Sequence, residues 1–156
     1  MAGLCQFAVL ASGYAGLGSV LVDSEMRGAA AWLSPEAAGQ FYVVDQLVHE
    51  AVVPLTDDGG ARYSSFWTWI AERMPAEPMW FLDILAVHPD SQGSGVGSAL
   101  VRHGLELAKR DGVPAILETG NPRNVEYYRS FGFEVVHAEV APGGGPMVWF
   151  MVCAPH

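Results

Sequence analysis

The chain has 156 residues, enough for about one domain that buries roughly two-thirds of its unfolded surface in a single core, and too few for two. Hydrophobic residues make up 51% and charged residues 16%, a balance that excludes an intrinsically disordered chain. The formal charge of -9 argues against nucleic acid or an anionic membrane surface as partner and suits a cationic amine substrate.

Met1 to Val22 carries no charged residue. A secretory signal would need Lys or Arg ahead of its apolar region, and Gly3, Gly13, Gly16 and Gly18 weaken a membrane helix, so a buried helix followed by a strand is expected. Cys5 and Cys153 have no CxxC spacing, which points to two structural thiols in a reducing cytoplasm. The five histidines lack metal-ligand spacing, and no metal is expected. Ser19 to Val22 and Gly28 to Leu33, separated by DSEMR, predict a β-hairpin that Ser34-Pro35 ends. Pro35 to Val53 is predicted helical after a Ser34 cap. Ala61 to Met74, closed by Pro75, is a second predicted helix whose aromatic stripe reads as core.

Met79 to Val87, MWFLDILAV, lies between prolines and predicts a strand buried on both faces with one conspicuous carboxylate, Asp83. Residues 95 to 110 repeat apolar positions at helical spacing and stop at Asp111-Gly112. Ala115 to Thr119 predicts another buried strand, and Val125 to Phe131 a short helix closed by Gly132 and capped at Asn124. Phe133 to Val140 and Met147 to Cys153 predict a hairpin around PGGGP. The order strand, helix, strand, helix, strand implies parallel crossovers in one α/β sheet spanning residues 1–156.

Between the first central strand and its helix lies HPDSQGSGVGSALVR, residues 88 to 102. A glycine loop feeding a helix start makes an anion site from backbone N–H groups and the helix dipole. A nucleotide P-loop needs a lysine, and none occurs between Met1 and Ala108. A dinucleotide GxGxxG fails in both registers, because Ser98 or Leu100 stands where the last glycine belongs. The remaining pattern, Gln92, two residues, Gly95, one residue and Gly97, has no such conflict.

With LAVHP before it and NPRNVEYYRSFGF after it, this pattern resembles the GNAT superfamily of acyl-CoA-dependent N-acetyltransferases. LETGNPRNVEYYRSFGF is similar to an actinobacterial-type branch of that superfamily. The resemblance implies a mixed sheet with central, parallel, splayed strands. It also implies acetyl-CoA as co-substrate, with its diphosphate on the backbone of Gln92, Gly93, Ser94, Gly95, Val96 and Gly97. Pantetheine would pair with the backbone at Leu85 and Val87, and Asn121 would contact the coenzyme. Tyr128 stands where the family has the general acid that protonates departing thiolate, while Tyr127 reads as core. Glu118 resembles the glutamate of ribosomal-protein N-terminal acetyltransferases, with two fewer residues between it and the tyrosine. Asp83 is the rival base, and a water relay is the third option.

Members of the superfamily usually begin with a strand and two helices before the hairpin, whereas about 18 residues precede Ser19, so the first strand and helix are expected to be missing. Three explanations are open, a truncated start, a naturally short variant or a dimer that completes the fold and covers the exposed sheet edge; the apolar first 22 residues prompt the expectation of a homodimer. The expected function is acetyl transfer to a primary amine. The alternatives are a non-catalytic acyl-CoA-binding module and a purely structural protein without coenzyme affinity.

Overall fold

The computed structural model describes residues 16–37 and 53–155. The helix expected over Pro35 to Val53 and the segment ahead of the hairpin, including Cys5, lie almost wholly outside these residues. So does the expected absence of a first strand and helix.

Among the described residues, six strands form one mixed sheet in the order β1-β2-β3-β4-β6-β5. They are β1 (Gly18–Val22), β2 (Gly28–Leu33), β3 (Trp80–Val87), β4 (Ala115–Thr119), β5 (Glu134–Val140) and β6 (Met147–Cys153). β3 and β4 are the parallel pair, and the remaining neighbours are antiparallel. The crossover from β4 to β5 is parallel in direction, yet β6 lies between the two strands and pairs with both. Among the described residues, no helix is long and apolar enough to cross a membrane.

Among the described residues, three α-helices accompany the sheet: α1 (Ala61–Ala71), α2 (Val96–Asp111) and α3 (Pro122–Arg129). In α2 the buried Val96, Leu100, Val101, Gly104 and Ala108 recur at helical spacing and press on β2 and β3. The helix stops because Gly112 enters the left-handed region at φ 68°. Its N–H donates to Lys109 O at 3.1 Å, and Val113 N–H donates to Ala108 O at 3.1 Å, which satisfies two terminal carbonyls. The two cations in the last turn, Lys109 and Arg110, match the helix dipole.

α1 ends three residues earlier than the sequence suggests. Pro75 pushes Met74 out of helical geometry, and the chain closes with tighter bonds, Arg73 N–H to Ile70 O at 2.9 Å and Met74 N–H to Ala71 O at 3.3 Å. α3 begins three residues before the expected Val125, because Asn121 caps it and Pro122 occupies the first helical position. Asn121 Oδ1 accepts from Arg123 N–H at 3.0 Å, so the cap is Asn121 and not Asn124.

Alternation along β6 separates the two sides of the sheet. Met151 and Trp149 join α2 and α3 in one cluster, whereas Val148 and Phe150 pack against Trp69 and Ile70 of α1 in another. The predicted double-sided burial of β3 holds for Trp80, Phe81 and Leu82 only; beyond them the strand is partly open. The reason is its register. β3 pairs with β4 only at Trp80↔Ala115 and Phe81↔Ile116 and then diverges, while it stays on β2 as far as Gly28↔Val87. A bulge gives β3 one extra residue between Leu82↔Trp32 and Ile84↔Ala31, and that residue is Asp83.

The interlock of α2 with the sheet is tight at one point, where a Cβ on Gly104 would overlap the indole of the fully buried Trp32. Gly104→Ala is therefore expected to destabilise the fold by about 2–3 kcal/mol, typical of overpacking a filled core. Urea denaturation checks this, and an unchanged midpoint would mean that Trp32 has room to retreat.

Candidate active site

A cleft of about 520 Å³ opens where β3 and β4 part. β3 contributes Leu85 and Val87, and the loop contributes Ser91, Gln92, Gly93 and Gly95. α2 adds Gly97 and Ser98, and α3 adds Asn121, Asn124, Tyr127 and Tyr128. These side chains are all uncharged at neutral pH.

The three alternate glycines serve two different needs. Gly93 and Gly95 have φ of 76° and 90°, with open space where a Cβ would stand, so backbone conformation selects them. Gly97 is helical, and a Cβ there would lie 3.1 Å from Tyr127 Oη and 3.2 Å from Val87 Cγ2, so close approach selects it. Before the glycines, Pro89–Ser91 forms a 3-10 turn in which Asp90 N–H donates to His88 Nδ1 at 3.3 Å. The first i to i+4 bond of α2 is Ala99 N–H to Gly95 O, at 2.9 Å. The amides of Val96, Gly97 and Ser98 precede it and have no intrahelical acceptor, which suits them to an anion.

Of the coenzyme contacts expected from sequence, Leu85, Val87, Gln92, Gly93, Gly95, Gly97, Asn121 and Tyr128 line this cleft. Two do not. The Val96 side chain is buried in the core, leaving only its backbone for a ligand, and Ser94 Oγ donates to Ser91 O on the exposed side of the turn. Sequence reasoning missed Ser91, Ser98, Asn124 and Tyr127. For α3 the signal was available, because Asn124, Tyr127 and Tyr128 stand at i, i+3 and i+4 and share one helix face. Asn124 Nδ2 donates to Thr119 Oγ1 at 3.2 Å, and Asn121 N–H donates to the same oxygen at 3.2 Å, tying the start of α3 to the end of β4.

The two tyrosines exchange the expected roles in packing. Tyr128 is buried in the main core, while Tyr127 is only partly buried. Their rings meet edge to face with centroids 5.2 Å apart, and Tyr128 also meets Phe133 at 5.9 Å. Burial first, and then the neighbouring Tyr127 and Glu118, push the Tyr128 phenol above its ordinary pKa. It remains a donor throughout the physiological range.

Glu118 and Asp83, the two candidate bases, are not among the residues that line the cleft; Glu118 is coupled electrostatically to the cleft residue Tyr128 on one side and to Asp83 on the other. Burial pushes Glu118 up to about 8, the negative charge of Asp83 adds to the shift, and a hydrogen bond from its own backbone amide opposes it. Burial alone pushes Asp83 up to about 7. Glu118 Oε2 is buried with no hydrogen-bond partner among the described residues. In contrast, Glu139 on β5 accepts from Arg73 at 2.7 and 3.2 Å and meets His137 at 3.1 Å, and these partners hold it down at about 2. Arg73 also stacks on Trp69, its Cζ 4.3 Å from the ring centroid.

Glu118 opposes Phe150 on β6, and Phe150 opposes His137 on β5, so all three belong to the α1 side of the sheet. Tyr128 belongs to the α2 and α3 side. The gap in the sheet is the point at which the two sides communicate, and Glu118 acts on Tyr128 electrostatically across it.

Comparison with known proteins bears on this arrangement. A mycothiol acetyltransferase of Thermobifida fusca is 32% identical over 134 residues, covering 81% of this chain and 37% of its own length. A peptidyl-lysine N-acetyltransferase of Salmonella typhimurium is 34% identical over 86 residues, covering 50% of this chain and 58% of its own length. The chain thus spans well under two thirds of either relative. Among solved structures, a Corynebacterium glutamicum protein described as histone acetyltransferase HPA2 and related acetyltransferase aligns with a TM-score of 0.61 and 26% identity, over 92% of this chain and 67% of that one. The acetyltransferase (GNAT) family matches residues 49–133, a segment that contains β3, the glycine loop, α2, β4 and α3, and by this match over more than half its length the chain belongs to that family.

Proposed function

We propose that this chain transfers an acetyl group from acetyl-CoA to a primary amine, the amine attacking the thioester directly. The observation that supports this most is the continuity of the cleft. It begins at the amides around Gly93, Gly95 and Gly97 and ends at Tyr128, on which the raised carboxyl of Glu118 acts electrostatically. A diphosphate fits the loop, whose left-handed glycines leave open space and whose helix amides lack acceptors. An extended arm fits along β3 beyond Phe81, where β4 no longer pairs with it. The coenzyme supplies the activated acetyl thioester; the chain supplies orientation and proton transfer.

The acceptor enters from the α1 side, where Glu118 and its neighbours stand, and meets the thioester in the gap. An amine arrives as ammonium and must lose a proton before it attacks. Glu118 or Asp83, each raised toward neutrality, is suited to take it. As the C–N bond forms, the C–S bond breaks and the sulfur leaves with a negative charge. Tyr128 donates to that sulfur. A phenol of raised pKa is a weaker acid than a thiol of pKa about 8.5, so Tyr128 acts mainly by a strong hydrogen bond while charge develops, and solvent completes the protonation. The proposal includes a homodimer, supported by the apolar first 22 residues, and a cytoplasmic location, supported by two cysteines without CxxC spacing.

A thiol-release screen of acetyl-CoA over amines tests the function, and the names of the relatives, a mycothiol acetyltransferase and a peptidyl-lysine N-acetyltransferase, support including both small-molecule amines and lysine peptides in it. Release with at least one amine is expected. Coenzyme binding without release from any of them would leave an acyl-CoA-binding module. Tyr128→Phe is expected to lower kcat about 10²-fold, the size of a lost general-acid contribution, while calorimetry shows acetyl-CoA affinity nearly unchanged. Turnover that is unaltered at every pH removes Tyr128 from the mechanism. Gly95→Ala is expected to weaken acetyl-CoA about 10-fold, since forcing a side chain to φ 90° costs roughly 1–2 kcal/mol. A monomeric mass in sedimentation at micromolar concentration would remove the dimer.

A further inference from the structure

The last paired residues of the central parallel strands are Phe81 on β3 and Ile116 on β4, and their side chains share one cluster on the α1 side of the sheet. Two residues further along each strand stand Asp83 and Glu118. In a parallel pair such residues lie at the same level and on the same side, so the two carboxyls occupy equivalent positions across the gap that begins just before them. The extra residue of the β3 bulge is Asp83, at the level where β4 departs, and its negative charge acts on Glu118. Glu118 Oε2 is buried there without a partner among the described residues.

The other groups around the pair leave it uncompensated. β2 brings Ala30, Ala31 and Trp32, which do not titrate, and β6 brings Phe150 opposite Glu118. α3 brings the phenols of Tyr127 and Tyr128. Among the described residues, no Lys, Arg or His forms an ion pair with either carboxyl; Arg73 and His137 are engaged by Glu139.

We propose that Asp83 and Glu118 act as one unit, a carboxyl and a carboxylate that share a single proton, with the remaining negative charge receiving the acceptor's ammonium and one of its protons. This rests on the reading of the chain as an amine acetyltransferase. Two unscreened carboxylates side by side cannot both ionise near neutral pH, so the pair keeps one proton and one charge. The singly charged pair balances one ammonium. An N–H bond breaks and an O–H bond forms on the ionised partner, leaving both carboxyls protonated; the pair then returns one proton to solvent. Of the two protons that leave the nitrogen overall, this is the first, and the second balances the proton taken up by the departing sulfur.

Asp83→Asn, Glu118→Gln and the double variant separate a shared unit from a single base. In pH profiles of kcat/KM with the best amine from the screen, either single variant is expected to keep measurable turnover, with the acidic limb moved up by about one pH unit because the remaining carboxylate no longer receives the proton that its partner shares with it. The double variant is expected to lose about 10²-fold or more. An acidic limb unmoved in Asp83→Asn overturns the proposal, as does a Glu118→Gln variant as inactive as the double one.

A second readout is independent of catalysis. Both carboxyls are raised in the folded protein, so their contribution to stability is full below ordinary carboxylate pKa values and is lost as pH rises through the raised ones. In urea melts, this loss is expected to move to lower pH in Asp83→Asn and to disappear in the double variant. If no amine releases thiol but the melts shift in this way, the pair stands and the acetyl-transfer reading fails. If the melts do not shift, the pair itself is overturned.

Discussion

Everything at this site depends on the brevity of one strand pairing. β3 and β4 hold each other for two residue pairs and are then claimed by different neighbours, β3 by β2 over its whole length and β4 by β6 through Thr119↔Trp149. The parting leaves backbone N–H and C=O groups along the inner edges of both strands that the sheet does not satisfy. Such groups are expensive when kept from both water and a partner. A parted sheet is thus stable only as a cleft, wet or filled, and the same opening admits the cleft, the two carboxyls and the wall formed by α3.

The elements that keep the strands apart are strongly anchored. α2 is fastened at its far end by its glycine cap and along its length by contact with β2 and β3, including the fit of Gly104 under Trp32. Trp80 Nε1 donates to Asp111 Oδ2 at 2.9 Å, which ties the start of β3 to the last residue of α2. Large buried side chains such as Trp32, Phe81, Phe133 and Phe150 each contribute on the order of 1.5–3 kcal/mol by leaving water. Against that stands a local expense: two carboxyls in surroundings that favour their neutral forms, and a Trp32 Nε1 with no partner among the described residues.

Much of this arrangement was legible in the sequence, and the reasons differ from element to element. MWFLDILAV, the apolar spacing of α2 and the glycine at 112 carry their structure locally, so strand, helix and cap emerged within a residue or two. The left-handed conformations of Gly93 and Gly95 are likewise local. Tyr128 and the coenzyme contacts came from resemblance and not from periodicity, which taken alone makes Tyr128 a packing residue; the structure shows it buried and lining the cleft at once. The start of α3 is carried by Asn121 and Pro122, a polar cap and a proline that lie ahead of the first apolar position at Val125 and so outside the apolar spacing. The bulge at Asp83, the two-residue extent of the β3–β4 pairing and the alignment of Asp83 with Glu118 were not legible. Register between strands about 30 residues apart is settled by packing, and no local pattern reports it.

The position of β6 also governs the order in which this protein takes shape. β6 follows β5 in the chain yet is inserted between β4 and β5, so β4 lacks its second neighbour and β5 lacks its neighbour in the sheet until residues 147–153 have left the ribosome. During synthesis the β1 to β4 half, with α2 against it, is free to assemble from contacts already made. β4, meanwhile, waits with its buried side chains and an open edge. That interval makes the nascent chain most vulnerable to wrong strand pairing, and the closing β5–β6 hairpin, a local structure of short loop length, ends it in a single step.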